Sequence, residues 1–186
     1  MQRLPLLFPR KRRFRRNEDG STVVEFALVI LPFLACMFAI IEVGLSFLAS
    51  QVLETSVADA SRLILTGQAQ SWAQADGATN FKDRICTDSV RALFKCDDIK
   101  FDVRTVDGFG AANLSPPLDA SNNLDTSSFT YNPGTQCKIV IVRVVYEWPT
   151  FVRTLGLDLS TLANGKRLIM STMAFRNEPY SGTGFC

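Results

Sequence analysis

From Phe26 to Ile41 the chain carries no charge, and in the wider apolar segment from about Val23 to Ala49 the only charged side chains are Glu25 and Glu42. A hydrocarbon core about 30 Å thick is crossed by about 20 apolar residues in a helix. The stretch therefore reads as one transmembrane span. Glu25 and Glu42 are 17 residues apart, which at the helical rise is about 25 Å. The spacing places the two acids near opposite interfaces, where neither meets the cost of mid-bilayer burial, on the order of 3 kcal/mol. Pro32 removes one helical hydrogen bond inside the span, and a kink is expected there. Gly44 and Ser46 are small enough for close helix contact but do not make a GxxxG pair.

What precedes the span sets its orientation. Arg3, Arg10, Lys11, Arg12, Arg13, Arg15 and Arg16 stand before Gly20, opposed only by Glu18 and Asp19. Of 20 basic and 18 acidic residues, 13 and 16 remain beyond Gly20. A basic block of this kind suits a nucleic-acid arm. Directly before a membrane span it is better explained as the positive-inside flank, with residues 1–20 cytoplasmic and no nucleic-acid partner. The apolar run is too long for a secretory h-region. Phe33-Leu-Ala-Cys36 is only a faint lipoprotein box, because a cut there would leave the apolar stretch Met37–Ala49 as the new N-terminus.

About 135 residues follow the apolar segment, enough for one domain with its own core. Ile41, Leu45, Leu48 and Val52, then Val57, Ala60 and Ile64, recur at helical spacing, so the helix is expected to leave the bilayer, turn amphipathic and stop near Gly67. Residues 68–80 are open to either helix or loop. A second helix is expected over Phe81–Phe94, with a break at Thr87–Ser89, where a cap is available. Ile99–Thr105 alternates as a strand. Asp107–Gly134 reads as a long polar loop, with an edge strand at Ser128–Tyr131. Lys138–Trp148 is apolar on both faces, the mark of a central strand. Phe151–Leu162 reads as a short helix or an apolar loop, and Gly165 turns the chain into a last strand, Arg167–Phe175. Helices followed by strands imply an α+β module, an antiparallel sheet packed on the long helix. The division is then 1–20 leader, 21–50 transmembrane helix and 51–186 periplasmic domain.

A basic leader, a glycine, an acid five residues later and then a membrane helix, as in Gly20-Ser-Thr-Val-Val-Glu25-Phe26, resemble a type IV prepilin. With Leu31-Pro32 in the span, Val142-Arg-Val-Val-Tyr-Glu-Trp-Pro149 and Phe175-Arg-Asn-Glu-Pro179, the chain is similar to the TadE-like family of pilin-like proteins (pseudopilins) of the tight-adherence type IV pilus system. The resemblance implies a leader cut between Gly20 and Ser21 by a prepilin peptidase. It assigns Glu25 and Phe26 to processing and assembly. It also implies a single-pass protein of the bacterial inner membrane whose partners are that peptidase, other pilin-like subunits and the pilus inner-membrane machinery, with the filament a further destination. The alternative is an uncleaved, anchored periplasmic scaffold domain of a secretion or envelope complex.

Cys36, inside the span, reads as a small apolar residue. Cys86, Cys96, Cys137 and Cys186 lie beyond it, an even number suited to an oxidising compartment. Four cysteines allow three pairings. Cys86–Cys96 is favoured by proximity if the helix breaks between them, since ten helical residues span about 15 Å and a disulfide needs Cα atoms roughly 4.4–6.8 Å apart. Cys137–Cys186 would then hold the end of the chain beside the central strand. A zinc site lacks histidine and any CxxC pair. No histidine also means no triad. Asp97, Asp98 and Asp102 could form a carboxylate cluster, but the adjacent pair Asp97-Asp98 before a strand is better read as a solvated turn; Asp107-Gly-Phe-Gly stands outside any kinase context, and no phosphate-cradling glycine loop is present. No enzymatic activity and no cofactor are expected.

Overall fold

A computed structural model describes residues 20–72, 76–151, 158–180 and 186. The basic leader 1–19 and residues 152–157 of the Phe151–Leu162 segment lie outside these. The long helix α1 runs unbroken over Ser21–Leu65, through Pro32 and past Ser50. It ends where expected. Gly67 adopts φ +80°, its amide donates to the Ile64 carbonyl at 3.1 Å, and the Thr66 amide donates to Arg62. This is the left-handed stop that glycine tolerates without a Cβ penalty. A Cβ at this position would also lie 2.4 Å from the Tyr180 ring.

After a single 3-10 turn at Ala69–Ser71 come α2 (Gly77–Ile85) and α3 (Asp88–Leu93). The two are separate because Thr87 is extended and caps α3, its side chain accepting from the Val90 amide. The Thr87 and Ser56 hydroxyls stand 3.3 Å apart, joining that cap to α1.

Three strands follow: β1 (Lys100–Val106), β2 (Ile139–Trp148) and β3 (Arg167–Arg176). They form one antiparallel sheet in the order β1-β2-β3, with β2 central. The fold is thus α+β, a long apolar helix followed by a small antiparallel sheet. On one face Val140, Val142, Val144, Tyr146 and Trp148 of β2 meet Ala49, Leu53, Val57, Ala60 and Ile64 of α1, with Phe81, Ile85, Val90 and Phe94 filling the side. Phe94 stands edge-on to Tyr146 and Trp148, at ring separations of 4.9 and 5.5 Å. Edge-to-face geometry is the favoured one for aromatic pairs.

The opposite face of β2 carries Arg143 opposite Asp102 of β1. The 107–134 connection lies over this part of the sheet. The Arg143 guanidinium donates to the Asn113 carbonyl, and Arg104 donates to Ser128 at 2.9 Å. Ser128–Tyr131 is not a strand. One parallel bridge joins Val103 to Tyr131, and two backbone hydrogen bonds along it, from the Val103 amide to Thr130 and from the Asn132 amide to Val103, cover the free edge of β1. The rest of the connection is ordered by short polar turns. Asp119 accepts from the Ser121 and Asn123 amides, and Leu118 bridges Leu124. The Asn122 carbonyl takes the Ala163 amide, tying the loop to the β2–β3 connection. Chiefly the Asn123 backbone donor holds the Asp119 carboxyl below the usual carboxylate range.

The packed stripe of α1 is the expected one at Val57, Ala60 and Ile64 and differs from it nearer the N-terminus. Ala39, Glu42, Ser46, Ala49, Leu53, Ser56 and Ala60 are buried, while Ile41, Leu45 and Leu48 are exposed. The whole segment is apolar, so periodicity there carries no information about facing. The small Ser46 and Ala49 let the helix approach the sheet closely, which the larger side chains do not.

Candidate functional site

The residues singled out at the helix head fall on its first turns. Gly20 precedes α1 with φ −92° and ψ −12°, and open space lies where its Cβ would be. Neither torsion nor contact demands glycine there. The Gly20–Ser21 peptide is exposed on both sides. Ser21 donates its hydroxyl to Glu25 Oε1 at 2.9 Å, one helical turn on. Phe26, beside Glu25, projects outward and is exposed with Val23, Val24, Leu28 and Val29. The head of α1 therefore presents one acid, Glu25, and two small polar residues, Ser21 and Thr22, on an otherwise apolar cylinder. Among the described residues α1 is the one helix long and apolar enough to cross a membrane.

The second acid of the segment is held differently. Glu42 is buried, and its Oε1 accepts from the Phe151 amide at 2.9 Å. This contact fixes the exit of β2 to the helix at a defined height. It could not be read from the sequence, because the partner is a backbone amide 109 positions away.

The four cysteines beyond the span are paired. Cys86 is bonded to Cys96 with Cα atoms 6.0 Å apart, across the break before α3. Cys137 is bonded to Cys186 with Cα atoms 5.3 Å apart. Asn177, buried, clamps the same corner. Its side chain donates to the Pro133 and Thr135 carbonyls at 2.9 and 3.0 Å, and its backbone exchanges hydrogen bonds with Cys137 and Lys138. Its neighbour Glu178 donates its amide to the Leu65 carbonyl at the end of α1. The Phe175–Pro179 phrase thus ends the sheet and closes the helix. Cys36 is free and exposed on the apolar helix.

The acidic residues considered for catalysis do not converge. Asp97 is fully exposed, 3.5 Å from Lys82. Asp102 is 1% exposed and is bound structurally, by Arg104 at 2.7 Å and the Thr130 amide at 3.1 Å. Burial lowers the pKa of Arg143 beside it, against the attraction of Asp102 and with the repulsion of Arg104. Asp102 thus serves two guanidinium groups, bonded to Arg104 and attracting Arg143.

Residues 20–62 match the model of a family described as TadE-like protein, the family that the sequence resembles. The match covers the helix from its exposed glycine to the last turn before Gly67. It does not reach Val142–Pro149 or Phe175–Pro179, whose place in this chain is the core strand and the corner clamp. No curated protein and no solved structure matches the chain. The family match suggests a pilin-like protein associated with a tight-adherence pilus.

Proposed function

We propose that the chain is a pilin-like subunit, made with a cytoplasmic leader that a membrane prepilin peptidase removes, and used to assemble a tight-adherence pilus. The observation that carries this is Gly20. The fold has no use for a glycine there, since its torsions suit any residue and nothing crowds its Cβ position. A peptidase that must seat the residue before the scissile bond does have a use for one. Hydrolysis adds water across the Gly20–Ser21 peptide, leaving a carboxylate on Gly20 and a new amine on Ser21. That amine is largely cationic at neutral pH, with a reference pKa of about 8. It emerges one turn from Glu25, at the entry to the apolar helix.

In this reading Glu25 acts after cleavage. An unpaired charge drawn toward low dielectric is costly, and an opposite charge compensates it. The carboxylate of one subunit meets the Ser21 amine of another and sets the axial register between their helices. Within one chain Glu25 already takes the Ser21 hydroxyl, which orients its carboxylate at the helix head. In the same reading residues 1–20 are cytoplasmic and 51–186 periplasmic, supported by the basic residues before the span, and the two disulfides suit that oxidising compartment. The role is structural rather than catalytic, and the partners are the peptidase and other pilin-like subunits in the inner membrane.

Intact mass of the membrane-extracted protein tests the reading. With the host peptidase present the mature chain begins at Ser21, and Gly20→Leu leaves it full length while the fold is unchanged. A wild-type chain that keeps its leader in that host would instead be the anchored scaffold.

A further inference from the structure

We propose that the groove between α1 and the end of β2 holds a phospholipid acyl chain, so that the folded body is seated on the bilayer rather than held clear of it. The groove has a volume of about 420 Å3. Its helix wall is Ala35, Phe38, Ile41 and Leu45, its other wall is Trp148 and Phe151, and among the described residues Glu42 is the one charged group that lines it. The bond from the Phe151 amide to Glu42 joins the two walls.

Its depth matches one leaflet. Ala35 lies ten residues beyond Glu25, about 15 Å along the helix, which is half of a hydrocarbon core about 30 Å thick. Leu45 lies another ten residues on, about 15 Å further. The groove therefore runs from near the bilayer midplane to the interface, which it meets between Glu42 and Leu45, the depth of about one leaflet. It is also continuous with the outward face of the span, since Phe38, Ile41 and Leu45 line the groove and remain exposed themselves. Phe151, 79% exposed, stands with Trp148 at the height of Glu42, where aromatic side chains gather at membrane interfaces. Among the described residues nothing covers Phe151 or the apolar wall beside it, and lipid would cover both. The proposal rests on α1 crossing the bilayer, and not on leader cleavage or on any pilus partner.

The two tryptophans of the chain make the test direct. Full-length protein is reconstituted into phosphatidylethanolamine–phosphatidylglycerol vesicles containing phosphatidylcholine spin-labelled at acyl carbon 5 or 12. Trp72→Phe leaves Trp148 as the sole reporter. Trp148→Phe leaves Trp72, beyond the far end of α1, as the control. Trp148 fluorescence is expected to fall at least twofold with the carbon-5 label and less with the carbon-12 label, while Trp72 is unchanged. Phe151→Ser, at an exposed position, removes more than half of the Trp148 quenching without altering the fold. Equal quenching of Trp148 and Trp72 in protein that floats with the vesicles overturns the groove. Protein that does not float overturns the span, and the groove with it. A photocrosslinker at position 151 that captures α1 of a second copy instead of lipid also overturns the proposal.

Discussion

Removing the Cys137–Cys186 bond tests how the corner behind β2 is stabilised. The bond closes a loop with a sequence separation of 49, and on the chain-entropy relation that constraint is worth about 4 kcal/mol through the unfolded state. The native corner has other supports, the two Asn177 side-chain bonds to Pro133 and Thr135, so its geometry should persist without the disulfide. Cys137 itself sits at φ +62°, a conformation that costs a non-glycine residue roughly 1–2 kcal/mol and that aims its amide at the Asn177 carbonyl, 3.1 Å away. Cys137→Ala with Cys186→Ala keeps the torsional cost and loses the crosslink, so it should lower stability by about 4 kcal/mol. Cys137→Gly with Cys186→Ala also loses the crosslink but relieves the torsion, so its loss should be about 1 kcal/mol smaller. Urea unfolding of the full chain in mild detergent, followed by the fluorescence of Trp148 in the core, reads both as shifts in midpoint at constant slope. A loss under about 1 kcal/mol for the alanine pair would falsify the loop-closure account. Equal midpoints for the two pairs would refute the torsional one.

Glu25→Gln keeps the shape and an acceptor for the Ser21 hydroxyl while removing the charge. The chain should be inserted and cleaved, but piliation, or crosslinking to the neighbouring pilin-like subunit, should be lost; normal pili would leave Glu25 without an assembly role. Burial raises the Tyr131 phenol to about 12 against an unfolded value of about 10, so the unfolded chain ionises first and stability should fall as pH rises from about 10 to 12. Because Tyr131 is only half-buried, solvent screening limits the effect to about 1 kcal/mol. Urea midpoints at pH 9 and 11 should show the loss in the wild type and a smaller one in Tyr131→Phe, and identical slopes would remove Tyr131 as the source.

The sequence by itself determines what local chemistry determines. An uncharged run beginning at Phe26 makes a helix in any apolar solvent. Two-faced apolarity makes β2 central because only a strand covered on both sides tolerates it. Thr87 divides α2 from α3 because its hydroxyl competes for the Val90 amide, and the same break lets Cys86 reach Cys96. Ser21 and Glu25 fall together because residues four apart stack on one helix face, and Gly20 adjoins Ser21, whatever the body does. Tertiary structure decides the rest. On a cylinder apolar all round, neither Ile41 nor Glu42 is marked as the packed residue. The choice is made by the Phe151 amide, 109 positions away in the chain, and by small buried residues such as Ser46 and Ala49, which leave room for the sheet. The polar turns of 107–134 are written locally in Asp119 and Asn122, but their docking over Arg143 is not. A buried guanidinium needs the Asp102 carboxylate and the Asn113 carbonyl delivered from two other segments, and only the assembled sheet brings all three to one place.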